Sequence, residues 1–109
     1  MTGRATLPNR RDGDLFTFEH NGIVYHGHVS RRLEDGRPME VFLEGGKVGS
    51  PVQAIARDTA VAASLGLQFG LPLETLRHAL TRSDDGTPAG PLGTLLDLIA
   101  ADMKQEQPA

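Results

Sequence analysis

The side chains from which chemistry could be built fall into four groups. The run Glu44-Gly-Gly-Lys-Val-Gly-Ser-Pro51 sets glycines, a lysine and a hydroxyl ahead of a helix. Free N–H groups and the helix dipole favour an anion at such a place, so Lys47, Gly49 and Ser50 are a candidate anion- or nucleotide-binding loop. Their spacing is not that of a Walker loop, in which Gly-Lys is followed at once by Ser or Thr. The competing reading is a sharp strand-to-helix turn that needs glycine at positive φ. His26 and His28 stand two apart on a strand and share a face. With Glu44 they could hold a divalent ion, but no third clear ligand accompanies the two histidines, and neither a metal nor any other cofactor is expected. Asp84, Asp85 and the pair His78 and Glu74 are the remaining acid–base groups, and nothing supplies them with a buried partner or a nucleophile. The arginines Arg4, Arg10, Arg11, Arg31, Arg32 and Arg37 could gather at one end as a weak nucleic-acid contact, or be solvated surface.

Composition narrows the classes. A chain of 109 residues is one domain, and its net charge of −3 argues against a dedicated nucleic-acid binder. There is no cysteine, hence no disulfide, no thiolate nucleophile and no cysteine metal site. Nothing approaches the about 20 apolar residues of a membrane span, and the N-terminus lacks the apolar core of a signal peptide. The expectation is a cytoplasmic protein without membrane contact.

The elements that must position these side chains are an α+β set. Residues 1–14 are polar, without periodicity, and read as a flexible arm. Two consecutive hairpins follow. Leu15–His20 and Ile23–Leu33 flank Asn21-Gly22, a strong turn signal. A two-residue turn pairs His20 with Ile23 and puts Phe16, Phe18, Ile23, Tyr25 and Val29 on one face. Glu34-Asp35-Gly36 then turns the chain into Met39–Glu44. A three-residue loop with Gly36 left-handed pairs Val29 with Val41 and Arg31 with Met39, keeping the aliphatics on the core side. The outer face holds Thr17, His26, His28, Phe42 and Glu44. Phe42, with Leu15 and Val24 near it, is an exposed aromatic that suggests a subunit or partner contact.

The helix from Ser50 to Gly70 organises the rest. Ser50 is a good N-cap, Pro51 suits the first turn, and Gln53 can close a capping box. Gly70 and Pro72 end it. Apolar or small residues occupy most of its circumference, so it reads as a buried core helix on which the three-stranded meander lies. Leu73–Thr81 is a second, short helix and Pro91–Met103 a third, burying Leu92, Leu95, Leu96 and Ile99. The domain spans 15–103, and 104–109 is a polar tail.

Several stretches carry a family resemblance: Leu7-Pro-Asn-Arg-Arg11, Asp35-Gly36 with Glu40-Val-Phe-Leu43, Lys47 and Gly49, Ala63-Ser-Leu-Gly-Leu-Gln-Phe-Gly-Leu-Pro-Leu-Glu74, and Pro88-Ala-Gly90. In this order they resemble the region near the C-terminus of adenosylcobalamin-dependent (class II) ribonucleotide reductases, the region related to TSCPD domains. The resemblance implies an accessory module living as a separate small protein, linked to deoxynucleotide supply. Reductases of that class use radical-generating and redox-active cysteines, which this chain lacks. No catalytic residue carries over, and the chain is expected not to be an enzyme. The expected partners are a second copy in a homodimer and a ribonucleotide reductase or other protein. The contact surface is expected to comprise Phe42, His26, His28 and Leu15 with Arg10 and Arg11 of the arm.

Overall fold

The computed structural model describes residues 14–106; the flexible-arm reading of 1–13, with Arg10 and Arg11, and residues 107–109 lie outside them. Strands β1 (Leu15–His20), β2 (Ile23–Arg31) and β3 (Pro38–Gly45) precede helices α1 (Pro51–Gln68), α2 (Leu73–Ala79) and α3 (Pro91–Glu106). The sheet is an antiparallel meander in the order β1-β2-β3. This is the expected α+β architecture.

The first hairpin follows its turn chemistry. Asn21 and Gly22 both have positive φ, at 53° and 81°, the conformation a two-residue turn with right-handed strand twist requires. His20 therefore faces Ile23 and Phe18 faces Tyr25, whose rings stack with centroids 5.6 Å apart. Phe16, Tyr25 and Val29 are buried on the inner face, with Phe18 and Ile23 packed at its margin.

The second hairpin departs from expectation at its tip. Val29 pairs with Val41 as the aliphatic pattern requires, but Arg31 pairs with Pro38, not Met39, because the register shifts between Ser30 and Arg31. Proline has no N–H to donate to a ladder and sits at the first residue of a strand or beside a bulge. The β2 strand ends at Arg31 rather than Leu33, and Leu33 is fully exposed. The connection is closed by Arg32 N–H donating to Arg37 O (2.8 Å) and Gly36 N–H to Arg32 O (2.7 Å). Gly36 is left-handed, φ 73°.

Helix α1 has its expected ends. Ser50 Oγ accepts from Gln53 N–H (3.2 Å), while Gln53 Oε1 reaches one residue past the cap to accept from Gly49 N–H (2.8 Å). At the other end Gly70 (φ 105°) donates to Leu67 O and Leu71 to Gly66 O, the paired bonds of a Schellman stop. Arg37 adds a cation there, donating to Leu67 O (2.8 Å), which suits the negative end of the dipole.

Two helices, not one, cover the inner face of the sheet. Helix α1 packs on β3, whereas α3 packs on β1 and β2. Leu95, Leu96 and Ile99 of α3 are wholly buried beside Phe16, Val29, Leu43 and Leu67. Leu92 is only half-buried, and α3 runs on to Glu106, so Lys104–Glu106 are helix rather than polar tail. The α2 helix stops at Ala79, short of Thr81. Helix α1 is not buried all round: Ala56, Ala60, Ala63, Ser64 and Leu67 face the core, but Ile55, Val61, Leu65 and Phe69 are exposed. Among the described residues no helix is long and apolar enough to cross a membrane.

Candidate functional site

The outward face of the sheet carries most of the expected residues. Alternation along each strand turns them outward, and the ladder sets them in rows. One row is Leu15, His28 and Phe42; the next is Thr17, His26 and Glu44. Phe42 keeps half of its surface exposed at the edge of the first row. Leu15 shares that row on the far side of His28, whereas Val24 lies two rows away, opposite Glu19. The face thus has an aromatic and an aliphatic at its ends, an imidazole between them and polar groups around.

In the second row the side chains already have work. His26 Nδ1 and Thr17 Oγ1 are hydrogen-bonded at 3.2 Å. The Glu44 carboxylate turns toward α1, accepting from Arg57 Nε (2.9 Å) and Gln53 Nε2 (3.0 Å). The Arg57 bond, and then the Gln53 bond, hold this carboxyl below its ordinary range. Glu44 thereby ties the sheet to the first turns of α1. Among the described residues no three His, Asp or Glu side chains gather as a metal site would require.

The glycine-rich loop is shaped as a strand-to-helix turn. Gly46 and Gly49 both have positive φ, 83° and 82°. Gly49 N–H is answered by Gln53 Oε1, and Ser50 N–H by Lys47 O (2.9 Å). An anion over Lys47, Gly49 and Ser50 would therefore have to displace the Gln53 side chain, while Lys47 itself is exposed.

The arginines do not form an open basic patch among the described residues. Arg31 pairs with Asp102 (3.0 Å), Arg32 with Asp35 (2.7 Å) and Arg57 with Glu44. Arg32 and the Arg37 amide hold Asp35 down at about 2. His78 and Glu74 meet in an exposed pair at 3.3 Å, and Asp85 caps its own loop by accepting from Thr87 N–H and Oγ1–H. No acid, base and nucleophile converge among the described residues.

Sequence reading missed the Asp97 node. Arg82 Nη2 and Arg77 Nε donate to Asp97 Oδ1 at 2.8 and 2.9 Å, and Arg82 Nη1 donates to Oδ2 at 2.9 Å. These bonds lock α2 and the 80–90 loop onto α3. The Arg82 bond, and then the Arg77 bond, hold the Asp97 carboxyl below its ordinary value of 3.8. A carboxyl with a depressed folded-state pKa adds stability that is full above its unfolded value and is lost as pH falls through the folded one. Asp97→Asn should therefore cost about 1–2 kcal/mol at pH 7. In urea titrations the two proteins should converge as pH drops below 3.8.

Comparison with known proteins places this geometry in a family. Residues 5–107 match the TSCPD domain, and the chain belongs to that family. It is 34% identical over 95 residues to a vitamin B12-dependent ribonucleotide reductase of Bradyrhizobium diazoefficiens, covering 84% of this chain and 7% of the reductase. The vitamin B12-dependent ribonucleotide reductase of Agrobacterium fabrum is 38% identical over 78 residues, 72% of this chain and 6% of that protein. The one from Streptantibioticus cattleyicolor is 36% identical over 72 residues, 66% of this chain and 12% of its own length. The chain thus corresponds to a small part of each reductase. No solved structure is significantly similar.

Proposed function

We propose that this TSCPD domain acts by binding rather than by catalysis, as an accessory module for a vitamin B12-dependent ribonucleotide reductase and hence for deoxynucleotide supply. The observation that carries the reading is the row Leu15, His28 and Phe42, an apolar and aromatic strip on an outward sheet face. Interface centres are rich in aromatics and ringed by polar groups, and Thr17, His26 and Glu40 supply such a ring. The relationship to reductases supports the partner, because the homologous segment is a small part of a much larger enzyme. The absence of cysteine supports a non-catalytic role, since thiol chemistry has no residue to run on.

The test is equilibrium binding of the purified chain to the purified reductase of the same organism. Phe42→Glu puts a charge in the strip without touching the core. It should weaken binding by about 30-fold or more, as loss of an interface hot spot does. Unchanged affinity would remove this face from the contact.

A further inference from the structure

We infer that the outward face of α1 is a self-association surface, in which two copies of this chain pair their α1 helices antiparallel about a two-fold axis at Ala62. Positions 55, 58, 62, 65 and 69 follow one another at intervals of three and four, the seam spacing of paired helices. They are Ile55, Asp58, Ala62, Leu65 and Phe69, with Asp58 the single charge. All are exposed; Ile55 retains 60% of its surface, Leu65 52% and Phe69 88%, and Val61 beside them 58%.

Those four large side chains alone present roughly 450 Å² of apolar surface, within the size of patch that marks interaction sites. That is more than half of the about 800 Å² per partner of a standard interface.

The face fits a second copy because it is self-complementary. A two-fold axis at Ala62 sets Phe69 of one protomer opposite Ile55 of its partner, and the reverse, since each lies seven residues from the axis. Beside Ile55 is an apolar cleft of about 430 Å³ whose walls include Thr59, Leu80, Pro91 and Leu92. A phenyl ring fits it. Phe69, at the C-cap of α1, is the projecting side chain that would enter it. Ala62, at the axis, is small and exposed, which allows close approach of the helix axes.

The arrangement separates from the sheet-face reading by experiment. Analytical ultracentrifugation of the full chain should show a dimer, Phe69→Glu a dimer constant weakened by about 30-fold or more, and Phe42→Glu an unchanged dimer. Because the chain has no cysteine, Ala62→Cys gives a second readout. Helix axes about 8–10 Å apart, less two Cα radii of about 2.3 Å, leave the two Ala62 Cα atoms within disulfide reach. Mild oxidation should link Ala62→Cys into dimers while Glu40→Cys on the sheet face stays unlinked. A wild type that remains monomeric at about 100 μM, far above the micromolar range of specific pairs, would overturn the inference. So would a Phe69→Glu protein that dimerises as the wild type does.

Discussion

Ser64→Ala should destabilise the protein by about 2–4 kcal/mol, far more than loss of a single hydroxyl at a surface would. Ser64 is buried on the core side of α1 and bonds twice to one residue of β3. Its Oγ accepts from Val41 N–H at 2.9 Å and donates to Val41 O at 3.0 Å. β3 is an edge strand, so these two Val41 groups point away from β2 and have no ladder partner. Ser64 is 7% exposed and Val41 4%, leaving water little access. Alanine would strand a buried donor and a buried acceptor, each costing about 1–3 kcal/mol. Thermal unfolding should show Tm lower by roughly 10–20 °C for a domain of this size. Ser64→Cys, which keeps a weaker donor and acceptor, should fall between. A loss under about 0.5 kcal/mol, the range of surface changes, would mean that the edge strand finds other partners.

The second large effect is expected at Gly27. A Cβ there would stand 2.4 Å from Leu95 Cδ1 and 3.0 Å from Cδ2, closer than carbon atoms pack. Glycine at this point of β2 is what lets α3 lie against the sheet. Gly27→Val should lift α3 off β1 and β2 and cost about 3 kcal/mol, read from urea unfolding. Leu95→Ala alone should cost about 2–5 kcal/mol through the cavity it leaves. Combined with Gly27→Ala it should cost clearly less than the sum, because each change fills or frees the space of the other. Additive losses would show that the two do not touch in solution.

What could be read from the sequence was what local chemistry decides. Asn21-Gly22 fixed the first hairpin, and the aliphatic alternation around Val29 and Val41 fixed the register of the second. Ser50, Pro51, Gly70 and Pro72 bounded α1. The tip of the second hairpin was missed because Pro38 enters the ladder one residue early and Asp35 ties Arg32 to Arg37, both matters of how a loop closes. Helix α1 read as buried because apolar residues surround it. Periodicity cannot say how many helices share the inner face of the sheet. The task of covering β1 and β2 fell to α3 through the fit of Leu95 over Gly27, a complementarity between residues far apart in the chain. The excess of apolar residues on α1 was the visible sign of a second, outward surface.

The candidate site was less accessible. The outer rows of the sheet followed from register, so Leu15, His28 and Phe42 were found together. The character of the glycine-rich loop turned on where one side chain, Gln53, places its amide, which sequence does not reveal. Asp97 gave no signal because its two arginines come from α2 and the loop after it, and only the folded chain brings them together.

Binding to a reductase is tested most directly by capture of the tagged chain from its own cell extract, with mass spectrometry of what is retained. The wild type should retain a vitamin B12-dependent ribonucleotide reductase, and Phe42→Glu should lose it. Absence of any reductase from the wild-type capture, with the protein folded and the reductase present in the extract, would contradict it.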